Sequence, residues 1–176
     1  MEQLRVLVIG AHPDDNDFKC GGIALKYLEK GHRVRFLSVC DGGAGHHEMT
    51  REETAARRKK ETEEVARITG IEYDVWDIPD CCVVATLENR MRMVNYIREF
   101  NPDIIFTHRT NDYHADHRNT AMLVQDAAYL LIVDCYDRGE FEEVENKVYA
   151  FADSGSEQTY WLAKGFVILG DSFVER

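Results

Sequence analysis

Two segments carry the residue types that metal and proton chemistry need. One is Gly10-Ala11-His12-Pro13-Asp14-Asp15-Asn16-Asp17; the other is His108-Arg109-Thr110-Asn111-Asp112-Tyr113-His114-Ala115-Asp116-His117. Four of the seven histidines lie in them. His and Asp drawn from two loops are ligand types of a catalytic zinc site, where three protein donors leave the fourth position to water. The first segment offers His12 and Asp15, with Asp14 between them free for another task. The second offers His114 and His117, three residues apart near a helix start and so aimed in similar directions. The adjacent carboxylates Asp14 and Asp15 repel one another unless a cation is close, a physical reason to expect a metal. An Asp pair after a strand is equally a helix N-cap, and a lone loop histidine is usually only solvated. It is the occurrence of both segments in one chain that favours the metal.

For these segments to meet, the elements before them must be neighbours. Apolar runs at Leu4–Ile9, Arg33–Val39, Tyr73–Ile78 and Asp103–Thr107 read as buried parallel strands. Between and after them, Phe18–Lys30, Arg51–Thr69, Leu87–Phe100 and Arg118–Val133 read as helices, with Gly31 and Gly70 as stops and Pro102 unable to continue the third. Lys147–Ala152 and Gly165–Leu169 are candidate strands, and the acidic stretch Asp134–Glu145 belongs at the surface. This alternation predicts an α/β chain: a single-domain, Rossmann-like open sheet, mostly parallel, with helices on both faces. Ligands of such sheets bind beyond the carboxyl ends of the strands, where the strand order reverses. Each histidine-bearing segment follows a strand, so both open onto one crevice if the first and fourth strands are adjacent.

Composition narrows the classes. The 176 residues are 44% hydrophobic and 30% charged, ordinary for a globular protein, and no linker or repeat divides them. The formal net charge of −11 argues against a nucleic-acid partner. The basic run Arg57-Arg58-Lys59-Lys60 is flanked by Glu52, Glu53, Glu61, Glu63 and Glu64, the pattern of a solvated helix with i,i+4 pairs. No apolar run is long enough to span a membrane, and the N-terminus is too short and wrongly charged for a signal peptide. Five cysteines without a C-x-x-C pair fit reduced thiols, so the expected compartment is the cytoplasm. Among remaining motifs, His46-His47 read as a solvated loop, His32 as helix-end decoration, and Gly42-Gly43-Ala44-Gly45 as flexibility or close packing, since no phosphate-loop Lys follows. His108 reads as a residue behind the ligands, and Trp76 and Trp161 as core or pocket wall.

The sequence resembles the PIG-L/LmbE-like zinc-dependent N-deacetylases. The likeness rests on Ala11-His12-Pro13-Asp14-Asp15, the Gly21-Gly22 pair, Arg58-x-x-Glu61 before Gly70, Pro79-Asp80, and Asn111-Asp112-Tyr113-His114-Ala115-Asp116-His117-Arg118. It covers roughly Leu4 to Thr120. The resemblance implies Zn2+, or Fe2+ on the same donors, held by His12, Asp15 and His117. It implies Asp14 as general base, His114 as oxyanion stabiliser and acid, Asp116 as a partner behind the ligands, and Arg58 and Asp80 as sugar contacts. The substrate would be a small N-acetylated sugar or its conjugate, and by analogy the protein would be a homo-oligomer. Three departures stand out: Asn16 where Glu or Ala is more usual, Ala115 for the common Pro, and a segment after Ala152 that is short for the family.

The implied chemistry is amide hydrolysis. Zinc lowers the pKa of water toward about 7, Asp14 takes the proton as water attacks the acetamide, and zinc and His114 share the oxyanion. Two other readings stand beside it. A non-catalytic module could use the crevice for a metabolite, although the first strand lacks G-x-G-x-x-G and Asp14, Asp15 and Asp17 repel phosphate. A degenerate deacetylase could bind zinc and turn over poorly.

Overall fold

Alternate residues of strand β1 (Arg5–Gly10) enter two different cores. In the computed structural model, which describes residues 3–131 and the strands at 148–152 and 166–169, Val6 and Val8 pack with Cys20, Ala24, Val34, Phe36 and Phe106. Leu7 and Ile9 pack with Leu37, Val39, Met93, Ile97, Ile105 and Leu123. A strand buried on both faces has little use for polar alternation, which is why the run reads as continuously apolar.

Around β1 the chain lays down helix α1 (Asp15–Glu29), β2 (Arg33–Cys40), α2 (Arg51–Thr69), β3 (Glu72–Ile78), α3 (Leu87–Phe100), β4 (Ile104–His108) and α4 (Ala115–Leu130). Strands β5 (Val148–Ala152) and β6 (Phe166–Leu169) follow. The six strands run in the order β3-β2-β1-β4-β5-β6, every pairing parallel. This is the doubly wound, Rossmann-like α/β arrangement, and its order reverses between β1 and β4. Val6 to Ile9 pair in register with Ile104 to Thr107, so the ends of both strands reach the same level. The expected strand adjacency is present.

Helix α2 opens with a capping box, Thr50 and Glu53 each bonding the other's backbone N–H, and closes on Gly70 in the left-handed region. Its exposed pairs, Arg57–Glu61 at 2.8 Å and Arg67–Glu64 at 2.6 Å, fit the solvated-helix reading of the basic run. Helix α3 stops at Asn101, which adopts φ 50° and donates its backbone N–H to Ile97 O; the stop precedes Pro102. Two helices begin three residues earlier than their sequence patterns suggest, at Asp15 and Ala115. The polar residues read as loop are their first turns, where acidic side chains (Asp15 and Asp17, and Asp116) suit the positive end of the helix dipole. His32 is also more than decoration: it is buried, and its Nδ1 accepts the backbone N–H of Leu4 at 3.1 Å. Trp76 lies in the core. Asp134–Glu145, Cys135 and Trp161 fall outside the described residues.

Candidate active site

The turn after β1 and the turn after β4 face each other across the switch point. Ser38 Oγ donates to His12 O at 3.0 Å, Tyr73 Oη to Pro13 O at 3.0 Å, and Cys40 N to Ala11 O at 2.9 Å, so β2 and β3 fix the first turn from one side. Gly42, at φ 67°, lets its loop lie against this turn; a Cβ there would meet Pro13 Cδ at 2.8 Å. That is the close packing anticipated for the glycine-rich loop. His46 turns away, its Nδ1 accepting the N–H groups of Glu48 and Met49.

Three side-chain atoms from the two turns converge. His12 Nδ1 lies 3.3 Å from Asp15 Oδ2, His117 Nε2 lies 3.3 Å from His12 Nδ1, and His117 Nε2 lies 3.4 Å from Asp15 Oδ2. A tetrahedral ion with bonds of about 2.0–2.1 Å places its donors about 3.3–3.4 Å apart. The near-equilateral triangle therefore matches the face of a zinc-sized tetrahedron, and the donor set fits a divalent ion of the zinc or iron type.

Carboxylates behind the imidazoles fix which nitrogen faces the triangle. His12 Nε2 is 3.2 Å from Asp80 Oδ1 and 3.4 Å from Asp116 Oδ2, which leaves Nδ1 as the open nitrogen. His117 Nδ1 is 3.1 Å from Asp112 Oδ1, which leaves Nε2. This is the carboxylate–histidine arrangement common behind metal ligands. The carboxylates are themselves held: Asp116 by the N–H groups of Cys81 and Val83, Asp80 by that of Ala44. Burial works against charge on His12, but Asp15 and Asp80 outweigh it and hold its pKa well above the usual imidazole range. Burial likewise pushes the Asp15 carboxyl up, and the imidazoles packed round it more than reverse it. In both cases the cluster attracts positive charge.

Asp14 and His114 stand on the open side. Asp14 occupies the N-cap position of α1 but makes no capping bond; its Oδ2 turns toward Arg58 Nη2 at 3.3 Å, and Arg58 Nη1 also meets Glu61 at 3.0 Å. His114 does cap its helix. Its Nδ1 accepts the N–H of Asp116 at 3.2 Å, so the ring proton belongs on Nε2. His12, Asp14, Asp15, Arg58, His114 and His117 all line a cleft of about 610 Å³, a volume typical of small-molecule sites. Asp80 lines it too, yet both its oxygens are engaged, one with His12 and the other with Ala44. Lys19, Phe18 and Tyr113 complete the rim, the two aromatic rings largely exposed.

Asp112 and Cys40 carry parts of this site that sequence reasoning missed. Asp112 sits in the quoted motif, five residues before His117, a spacing with no helical meaning; only the turn before the α4 cap brings the two together. Cys40 packs beside the His12 ring and gave no signal beyond being a strand-end cysteine.

The PIG-L family model, described as GlcNAc-PI de-N-acetylase, matches residues 7–128. The chain belongs to this family. Over 173 residues it is 27% identical to 4-oxalmesaconate hydratase of Pseudomonas putida, covering 94% of this chain and 67% of that protein. Over 125 residues it is 32% identical to diacetylchitobiose deacetylase of Thermococcus kodakarensis, covering 68% of this chain and 47% of that protein. The structure of N,N'-diacetylchitobiose deacetylase from Pyrococcus horikoshii, bound to an inhibitor, aligns with TM-score 0.78 at 25% identity, over 86% of this chain and 61% of that one. The chain thus spans about two thirds or less of the length of these PIG-L relatives. No described helix is long and apolar enough to cross a membrane.

Proposed function

We propose that this PIG-L chain is a metal-dependent hydrolase that removes the acetyl group from a small N-acetylated amino sugar or its conjugate, and that residues 1–176 act as one LmbE-like domain. The observation that carries the reading is the His12–Asp15–His117 triangle, open toward a cleft that also receives Asp14 and His114. Those three residues would hold Zn2+ or Fe2+, and the bound ion supplies Lewis acidity that lets water lose a proton near neutral pH. Asp14 accepts that proton on a carboxylate oxygen while the water oxygen bonds to the amide carbon. The Nε2–H of His114 donates to the carbonyl oxygen as charge builds there. When the C–N bond breaks, the proton held on Asp14 passes to the departing nitrogen, and acetate and the free amine leave. With Nδ1 engaged at the helix cap, His114 serves best as a donor, and the proton shuttle falls to Asp14. Arg58 lines the cleft as the cation nearest Asp14 and is available to substrate hydroxyls. Asp116 and Asp80 act through His12, holding its tautomer, as Asp112 does for His117. The partner is a small molecule, with no nucleic acid, and the compartment is the cytoplasm.

One observation favours a second reading. The relative that aligns with 94% of this chain is a hydratase, and addition of water to an activated C=C bond also calls for a base and a proton donor. Purified chain loaded with Zn2+ or Fe2+ distinguishes the two. Amine and acetate release from a panel of N-acetyl sugars, abolished by chelator and restored by metal, is the expected result. Loss of conjugated-enoate absorbance without any amine release would overturn the deacetylase reading in favour of the hydratase.

A further inference from the structure

We infer that His108 is a positioning residue that sets the distance between the two halves of the metal triangle. The inference rests on the proposed ligand set and concerns a residue to which that reading gives no role. His108 ends β4 and is 3% exposed, so it cannot touch substrate. It makes contact with both turns. Its Nε2 accepts the backbone N–H of Ala11, at 3.0 Å, in the turn that carries His12 and Asp15. Its ring stacks on that of His117, centroids 4.1 Å apart and planes 5° from parallel. Nε2 also lies 3.2 Å from Asp15 Oδ2, but that oxygen already accepts the His12 N–H at 2.9 Å. One ring nitrogen cannot both donate to Asp15 and accept from Ala11, and the Ala11 bond is the one that supplies its own proton.

The consequence is geometric. Ala11 precedes one ligand and lies four residues before the second; His117 is the third, 105 residues beyond His12. The hydrogen bond fixes the height of the first turn above β4, and the stack fixes the third ligand against the same ring. A triangle with 3.3–3.4 Å sides tolerates little error in either. His108 clasps both.

Two variants separate the clasp from simple packing. His108→Phe keeps a flat ring for His117 and loses the acceptor; His108→Gln loses the ring and keeps an oxygen that can reach the Ala11 N–H. Each is titrated with Co2+, read by its visible absorption, and Ala11 amide exchange is followed in the metal-free protein. The expected result is Co2+ affinity about 10–100-fold weaker in His108→Phe, with an altered cobalt spectrum and fast Ala11 exchange. His108→Gln should keep Ala11 protected but lose the stack on His117, and with it about tenfold in Co2+ affinity. Wild-type affinity, spectrum and protection in His108→Phe would overturn the inference. If that variant does not fold, His108→Gln decides alone: wild-type Co2+ affinity there would remove the stack, and fast Ala11 exchange there would remove the hydrogen bond, as arms of the clasp. Failure of the wild type itself to bind Co2+ would sink the metal reading, while Ala11 exchange in the variants still judges the clasp.

Discussion

Arg58 Nη2 lies 3.3 Å from Asp14 Oδ2, so the carboxylate nearest the open side of the triangle is tethered to a helix of the opposite wall. The tether accounts for an N-cap residue that caps nothing. Asp14→Asn should retain the metal and lower kcat by about 10²–10⁴-fold, because the amide keeps the shape but cannot take a proton. Arg58→Ala should lower kcat by about 10–100-fold through a misplaced base, again without metal loss. Steady-state kinetics with metal analysis on the same samples checks both. Near wild-type turnover in Asp14→Asn removes it from the base role.

His114 has two functions that substitution can separate. His114→Ala loses both the helix cap and the Nε2 donor; His114→Asn retains a capping oxygen, but its shorter amide does not reach the place from which Nε2 donates. Both should lose about 10²–10³-fold in kcat with KM changed only a few-fold. Only the Ala variant should lose about 0.5–2 kcal/mol of stability. Metal loss in His114→Ala equal to that in His117→Ala would instead make His114 a ligand.

Gly10 bears on the site from behind. A Cβ there would stand 2.7 Å from Asn16 Oδ1 and 2.8 Å from Asp15 Cβ, both in the first turn of α1. Gly10→Ala should therefore destabilise the fold by about 1–3 kcal/mol and weaken metal binding by displacing Asp15. Denaturant melts and cobalt titration measure the two effects. A stable Gly10→Ala protein with wild-type cobalt affinity contradicts the crowding.

The strands, the helix existence and the two ligand-bearing turns were legible because apolar runs and 3.6-residue spacing are local signals. The starts of α1 and α4 were not, because Asp15 and Ala115-Asp116 look like loop residues until a helix dipole accounts for the acids. The residue types of the proposed metal triangle could be read from His12, Asp15 and His117. What supports them could not: Asp112, Asp80 and His108 act through contacts set by strand pairing, between residues as far as 97 positions apart. Asp80 shows the limit well. A motif position that resembles a sugar contact has both oxygens engaged inside the protein.

The thiols among the described residues should fall into two classes. Burial pushes Cys20 up to about 11 and raises Cys40 as well, whereas Cys81 and Cys82 are exposed. Because the thiolate is the reactive form, a short iodoacetamide pulse at pH 7.5 should label Cys82 and leave Cys20 and Cys40 unmodified until the chain unfolds. Partial burial and the Asp80 carboxylate also raise Cys81, which should label more slowly than an ordinary exposed thiol. Peptide mass spectrometry reads each site, and rapid labelling of Cys20 in native protein would contradict its burial.

The sheet order has a bearing on synthesis. β2 and β3 lie on one side of β1, and the strand that completes its other side, β4, is made only after all three. A growing chain therefore carries the apolar strand β1 with one unpaired edge, a template for wrong pairing, from the making of Gly10 until that of Ile104. A similar interval, 105 residues, separates His12 from His117. An ion that needs both cannot be captured while the edge is open. Its arrival would mark the closure of the β1–β4 seam and could not have guided it.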